Sequence, residues 1–252
     1  MSGVAGEVTG TAGETDGARD EAGEPLREDR MVLPLVVRIE RASPPGRSDA
    51  LAAAALAVLT LLDDPRARDG GEWAEPVRAW DTSRFRKVVR RARGSEWRRV
   101  LELPGVTVTS GTAEVRVHPP IPLDGWPKDL SRLQVSGTEL TDVAEPGPPG
   151  DVVLWLNPEL KMSAGKAMAQ AGHAAQLAWQ GSDGQARRTW RDRGLAVSVR
   201  TADPAAWAEL VASGLPVVRD AGFTEIAPGS CTVVADTPWL RRTAGSPPVP
   251  RP

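Results

Sequence analysis

The sequence predicts an α/β fold made of two related units, each a small mixed sheet of about four strands with helices on both faces. Three observations lead there. Short β-branched runs alternate with alanine-rich or amphipathic stretches of helical length. The order strand, helix, strand, helix, strand, strand is read twice along the chain. A shift of 119 residues also aligns "VVRIERASPPGR" (36–47) with "WLNPELKMSAGK" (155–166) without a gap.

Residues 1–30 hold eight acidic and three basic residues and almost no large apolar side chain, which reads as a disordered acidic tail. "MVLPLVVRIE" (31–40) reads as a buried strand and "RSDALAAAALAVLTLLDD" (47–64) as a core helix. "PVRAW" (76–80) is expected as a strand. In 81–103, Phe85, Val88, Val89, Ala92, Val100 and Leu101 recur at helical spacing behind Asp81, Thr82 and Ser83, so one long basic helix is expected. "VTVTSGTAEVRV" (106–117) reads as a hairpin turning at Ser110 and Gly111, closing a first unit at 31–137. Pro, Gly and acidic residues mark 138–150 as a linker. The second unit, 151–238, offers strands at 151–157, 195–200, 216–220 and 231–235 and helices at 165–180 and 203–213, before a Pro-rich tail at 239–252.

The formal charge of −2 becomes about +3 once the acidic tail is set aside. A nucleic-acid partner is therefore open. One cysteine, Cys231, excludes an internal disulfide and a cysteine-rich metal site, and no leader-like segment starts the chain, so a cytoplasmic protein without a membrane anchor is expected. Arg84, Lys87, Arg90 and Arg91 in the expected basic helix are candidates for tRNA phosphates, against the plainer reading of a solvated face.

Lysine is rare in this arginine-rich chain: Lys87, Lys128, Lys161 and Lys166 are all there is. Two of the four sit in "ELKMSAGKAMAQAGHAA" (159–175), where a point-like ammonium is not interchangeable with a guanidinium fork. From the helix start, Lys166, Gln170 and His173 follow at i, i+4 and i+7, one stripe of one face. His173 alone could equally be a paired core histidine. The helix N-terminus with Lys161 and Lys166 makes an anion site. The first unit carries Arg47, Leu51, Ala54 and Thr109 where the second has Lys166, Gln170, His173 and Asp220, so it is expected to be a degenerate copy. A Cys231–His173 hydrolase is the rival enzyme reading, but strand alternation turns Cys231 away from Thr232.

"ELKMSAGKAMAQAGHAA" together with "GLPVVRDAGFTEIAPGSCTVV" (214–234) resembles the archaeal- and eukaryotic-type, second class of peptidyl-tRNA hydrolases over 151–238. The departures from that pattern are Glu159 for Asp, Met168 for Ala, Phe223 for a polar or basic residue and Glu225 for Gln. The resemblance implies metal-independent, cofactor-free hydrolysis of the ester between a peptide and the tRNA 3′ end, which recycles tRNA during ribosome rescue. It implies Lys166, Asp220 and Thr232 as catalytic and Lys161, Gln170, His173 and Thr224 as substrate-binding. A non-catalytic tRNA- or protein-binding module derived from the fold is the alternative. Since such enzymes are small homodimers, two fused units imply a monomeric pseudo-dimer, with a homodimer of the whole chain also open.

Overall fold

The computed structural model describes residues 31–82, 86–142, 150–222 and 225–245. The expectations for the tail at 1–30, for Arg84 and for Thr224 lie outside them. Strand β1 (Met31–Arg38) is buried from Val32 to Val37, as befits a strand covered on both faces. It leads into α1 (Arg47–Asp63), a 3₁₀ turn at Pro65–Ala67, α2 (Ala74–Asp81), β2 (Lys87–Ala92), α3 (Gly94–Glu102), β3 (Val106–Ser110), β4 (Ala113–Val117), β5 (Ile121–Pro122) and α4 (Lys128–Ser131). The second half runs β6 (Val153–Leu156), α5 (Ala164–Gly181), α6 (Gly184–Asp192), β7 (Ser198–Thr201), α7 (Pro204–Ala212), β8 (Val217–Arg219), β9 (Cys231–Asp236) and α8 (Pro238–Ala244).

The two sheets share a four-strand path, to which the first adds β5, antiparallel to β1. Strand order is β2-β1-β4-β3 in the first and β7-β6-β9-β8 in the second. In each, the opening strand pairs parallel with the next (β1 with β2, β6 with β7) and antiparallel with the last (β1 with β4, β6 with β9). The remaining pair, β3 with β4 and β8 with β9, is antiparallel in both. Even the helices correspond, since α1, α2 and α3 occupy the chain positions of α5, α6 and α7. Shared order and direction at every step are what an internal duplication leaves behind.

Two stretches of the first unit differ from their expectation. "PVRAW" is not a strand but the body of α2, whose Val77 and Trp80 are buried three apart on one face. Residues 81–103 do not form one helix: β2 occupies Lys87–Ala92, and α3 starts only at Gly94. Lys87 and Val89 are buried on one face and Ala92 on the other, and β1 supplies a parallel partner for every residue of β2. Pairing energy that only the tertiary fold provides overrides the local helical spacing. Gly94, at φ +48, makes the corner between the two elements. The supposed tail beyond 238 opens with α8, capped by the Thr237 hydroxyl on Leu240 N–H and begun by Pro238. Its Trp239 ring lies 5.5 Å from that of Trp190 on α6.

The main core lies around α1 and α5, which run against each other. Small residues make that approach possible: a Cβ on Gly172 would stand 3.1 Å from Val58 of α1 and 3.2 Å from the Lys87 stem. Each helix covers strands of its own unit, and each also reaches across, α1 to β7 and α5 to β2. A separate cluster of Val36, Ala92, Trp97, Val100, Leu130 and Leu133 fills the other face of the first sheet under α3 and α4.

His118, just after β4, is 3% exposed; its Nδ1 donates to the Pro104 carbonyl at 2.7 Å, and its Nε2 has no partner. Burial pushes its pKa down from 6.5 to about 4, opposed by the Pro104 bond. The fold therefore accepts the neutral ring while the unfolded chain takes up a proton. The stability that depends on neutral His118 is complete above pH 6.5 and is lost as pH falls toward 4, about 3 kcal/mol over that window. Urea unfolding of wild type and His118→Gln at pH 7 and pH 4.5 measures it. The variant is expected to lose less stability on acidification, and equal losses in the two proteins would refute the assignment.

Candidate active site

Helix α5 places the site. Its N-cap is Ser163, whose hydroxyl accepts from Lys166 N–H at 3.3 Å and itself donates to Glu225 Oε1 at 2.7 Å, while Ser163 N–H donates to Glu225 Oε2 at 2.9 Å. Glu225, a departure from the family pattern, thus anchors the helix start. The next N–H, that of Gly165, donates to the Thr138 hydroxyl at 3.0 Å, and Thr138 is 2% exposed. The segment read as a linker therefore holds both central helices, for Asp142 also accepts from Ser48 N–H at the start of α1, at 2.7 Å.

One turn into α5, Lys166 Nζ stands 2.5 Å from Asp220 Oδ2, with both side chains mostly buried at 14% and 5% exposure. Gln170 Nε2 donates to the same oxygen at 2.9 Å, and Gly222 N–H donates to Oδ1 at 2.8 Å. A carboxylate only accepts, so it fixes the Gln170 amide with its nitrogen toward Asp220. Gln170 Oε1 is then free to accept from Thr232 Oγ1 at 2.7 Å. Gly222 has φ +82, and a Cβ there would come 2.3 Å from Pro228, so only glycine closes this turn beneath the carboxylate.

Lys166, Gln170, His173 and Asp220 line one cleft of about 1040 Å³ between the two units. The first unit supplies another wall, from Arg86 to Val89 and from Gln134 to Gly137, continued by Thr138 and Glu139 of the segment that follows it. Thr232 belongs to the network but is fully buried behind Gln170. Lys161 is exposed on the turn before α5 and is not among the cleft-lining residues. Cys231, half-buried, meets Arg219 at 2.9 Å while Thr232 faces Gln170, which leaves the thiol out of the cleft.

The basic residues of the first unit are placed otherwise than expected. Lys87 is buried, and its Nζ lies 3.1 Å from His173 Nδ1 and 2.5 Å from Gln176 Oε1. Arg90 donates to the Ser131 and Leu133 carbonyls and lies over the Trp126 ring at 4.4 Å, and Arg91 donates to the Ser136 carbonyl at 2.9 Å. On a strand next to β1, these side chains bind the returning segment 131–136 rather than forming the solvated face of a helix. Gln176, which continues the α5 stripe, was within reach of the same spacing argument; Thr138 and Glu225 meet α5 only through the fold.

Among the described residues there is no group of three or more His, Cys, Asp or Glu side chains able to hold a metal ion, and no helix is long and apolar enough to cross a membrane. Residues 151–244, which include Lys166, Gln170, His173, Asp220 and Thr232, match the family model described as peptidyl-tRNA hydrolase PTH2. The chain is similar to the peptidyl-tRNA hydrolase of Pyrobaculum aerophilum, at 42% identity over 99 residues, covering 34% of this chain and 82% of that protein. With that much of a curated relative matched at that identity, the chain belongs to the peptidyl-tRNA hydrolase PTH2 family.

Proposed function

We propose that the chain hydrolyses the ester between a peptide and the terminal ribose of tRNA, with the reaction confined to the α5 side of the cleft. The observation that carries this reading is the Lys166 ammonium, held by Asp220 in the lining of a cleft. In such a reaction water adds to the ester carbonyl carbon, the bond to the ribose oxygen breaks, and negative charge passes through the carbonyl oxygen and then the ribose oxygen. Lys166 is the group placed to meet that charge. Asp220 accepts from three N–H donors, so it acts as the anchor of Lys166 and not as a free base for the water. Gln170 and, through it, the buried Thr232 position Asp220. His173 lies further along the cleft as a contact for the substrate.

In this reading the first unit is a degenerate copy. Leu51 and Ala54 are core residues where the second unit has Gln170 and His173. Arg47, in place of Lys166, donates to the Met162 carbonyl at 3.2 Å. Units 31–137 and 151–238 form a monomeric pseudo-dimer, because α1 and α5 already cover each other, and the substrate sets its work in the cytoplasm. Incubating the purified protein with N-acetyl-aminoacyl-tRNA tests the activity. The expected outcome is release of free tRNA at a rate unchanged by a chelator, from a species of 26.8 kDa by light scattering. Release no faster than in buffer refutes the hydrolase.

A further inference from the structure

Lys87 belongs to β2 of the first unit, yet its amine ends inside the second, against α5. The direction of every hydrogen bond around it follows from one carboxylate. Asp81, at the end of α2, only accepts, and Gln176 Nε2 reaches its Oδ1 at 2.6 Å, as does Gln180 Nε2 at 2.8 Å. The Gln176 amide is thereby oriented with its oxygen toward Lys87, which donates to it at 2.5 Å. The Trp80 ring face lies 4.6 Å from the same nitrogen, a surface that favours the protonated amine. While the amine is protonated it has only donors to offer, and at its 3.1 Å contact with His173 the ring nitrogen Nδ1 then accepts.

We propose that Lys87 is a positioning residue supplied by the first unit: it fixes His173 with the proton on Nε2, so that this N–H is presented to the substrate in the cleft. His173 lines that cleft, and with Nδ1 turned to Lys87 its Nε2 is the ring nitrogen left for a ligand. The charged groups around the ring are Lys87 from β2, Lys166 on α5 itself, Asp220 after β8, and Asp81 behind Gln176. Burial, then Lys87 and Lys166, hold the His173 ring well below the usual histidine range, so it stays a neutral donor. Burial also holds Lys87 well below the usual lysine range, opposed by Asp81, while the Gln176 oxygen and the Trp80 ring face favour its protonated form. The ligand chemistry is an acceptor oxygen of the peptidyl ester, which rests on the hydrolase reading above.

The chain has two histidines, and they are opposite cases. His118 donates from Nδ1 to Pro104 and serves as the internal reference for the other tautomer. Two-bond proton–nitrogen correlation spectra of the ¹⁵N-histidine-labelled protein at pH 7 are expected to show His173 protonated on Nε2 and His118 on Nδ1. In Lys87→Met, which keeps the stem and removes the donor, His173 is expected to lose that preference. kcat/KM is expected to fall about tenfold, the size of one neutral hydrogen bond to the substrate. Wild-type His173 with its proton on Nδ1 overturns the proposal without need of any variant. So does a Lys87→Met protein that keeps the Nε2–H signature or the wild-type kcat/KM. The wild-type spectrum needs no turnover, so absent hydrolysis defeats the hydrolase reading and a wrong tautomer defeats this one.

Discussion

Replacing Lys166 by arginine is expected to lower kcat for peptidyl-tRNA hydrolysis about 100-fold and to leave the fold and the melting temperature close to wild type. The charge is kept in this variant, so what is lost is shape. An ammonium can hold Asp220 Oδ2 with one N–H, at 2.5 Å, and still direct others at a developing oxyanion. A guanidinium engages a carboxylate side-on through two nitrogens. Here that mode competes with Gln170 on Oδ2 and Gly222 on Oδ1, and it draws the charge toward Asp220 and away from the substrate. The first unit already contains the exchange: Arg47, at the equivalent position, is turned to the Met162 carbonyl. Single-turnover release from N-acetyl-aminoacyl-tRNA, with a thermal melt of the same sample, decides the matter. A variant within threefold of the wild-type rate would show that charge alone suffices.

Asp220→Asn is expected to have a comparable effect on rate, about 100-fold, and in addition to cost about 1–3 kcal/mol of stability. The carboxylate accepts three N–H donors, two on Oδ2 and one on Oδ1. An amide has one oxygen and must set its NH₂ against one of those donors. If its oxygen faces Lys166 and Gln170, the NH₂ meets Gly222 N–H, which the left-handed turn at Gly222 (φ +82) directs at that position. Lys166 also loses the charge that holds it in a mostly buried position. Rate and urea midpoint should therefore both move in this variant, where in Lys166→Arg only the rate does. An Asp220→Asn protein with wild-type kcat would end the anchor role.

The parts of the structure that the sequence discloses are those set by near neighbours. Lys166, Gln170 and His173 are seven residues apart at most, and helical geometry alone puts them on one stripe. The Ser110–Gly111 turn and the alanine-rich helices are legible for the same reason. β2 is not, because both of its faces carry buried residues, Val89 on one and Ala92 on the other, at a spacing that imitates a helix, and its strand state comes from pairing with β1, more than fifty residues earlier. The site divides along the same line. Glu225 on Ser163, Thr138 on Gly165 and Lys87 on His173 are contacts between distant segments, and no local spacing announces them. Lys87 is conspicuous as a rare lysine among arginines, and only the fold shows it buried against α5.

The crossing of α5 onto β2 bears on how such a molecule can change over generations. In an assembly of two identical chains, any substitution appears on both sides of the symmetry axis at once, so a residue useful on one side must be tolerable on the other. Fusion into one chain removes that coupling. His173 can face a lysine from β2 while its counterpart, Ala54, stays a fully buried small residue, and neither choice constrains the other. The half without the polar set thus gains a different kind of inheritance: it is free to be altered, residue by residue, as the wall and support of a site that it does not itself possess.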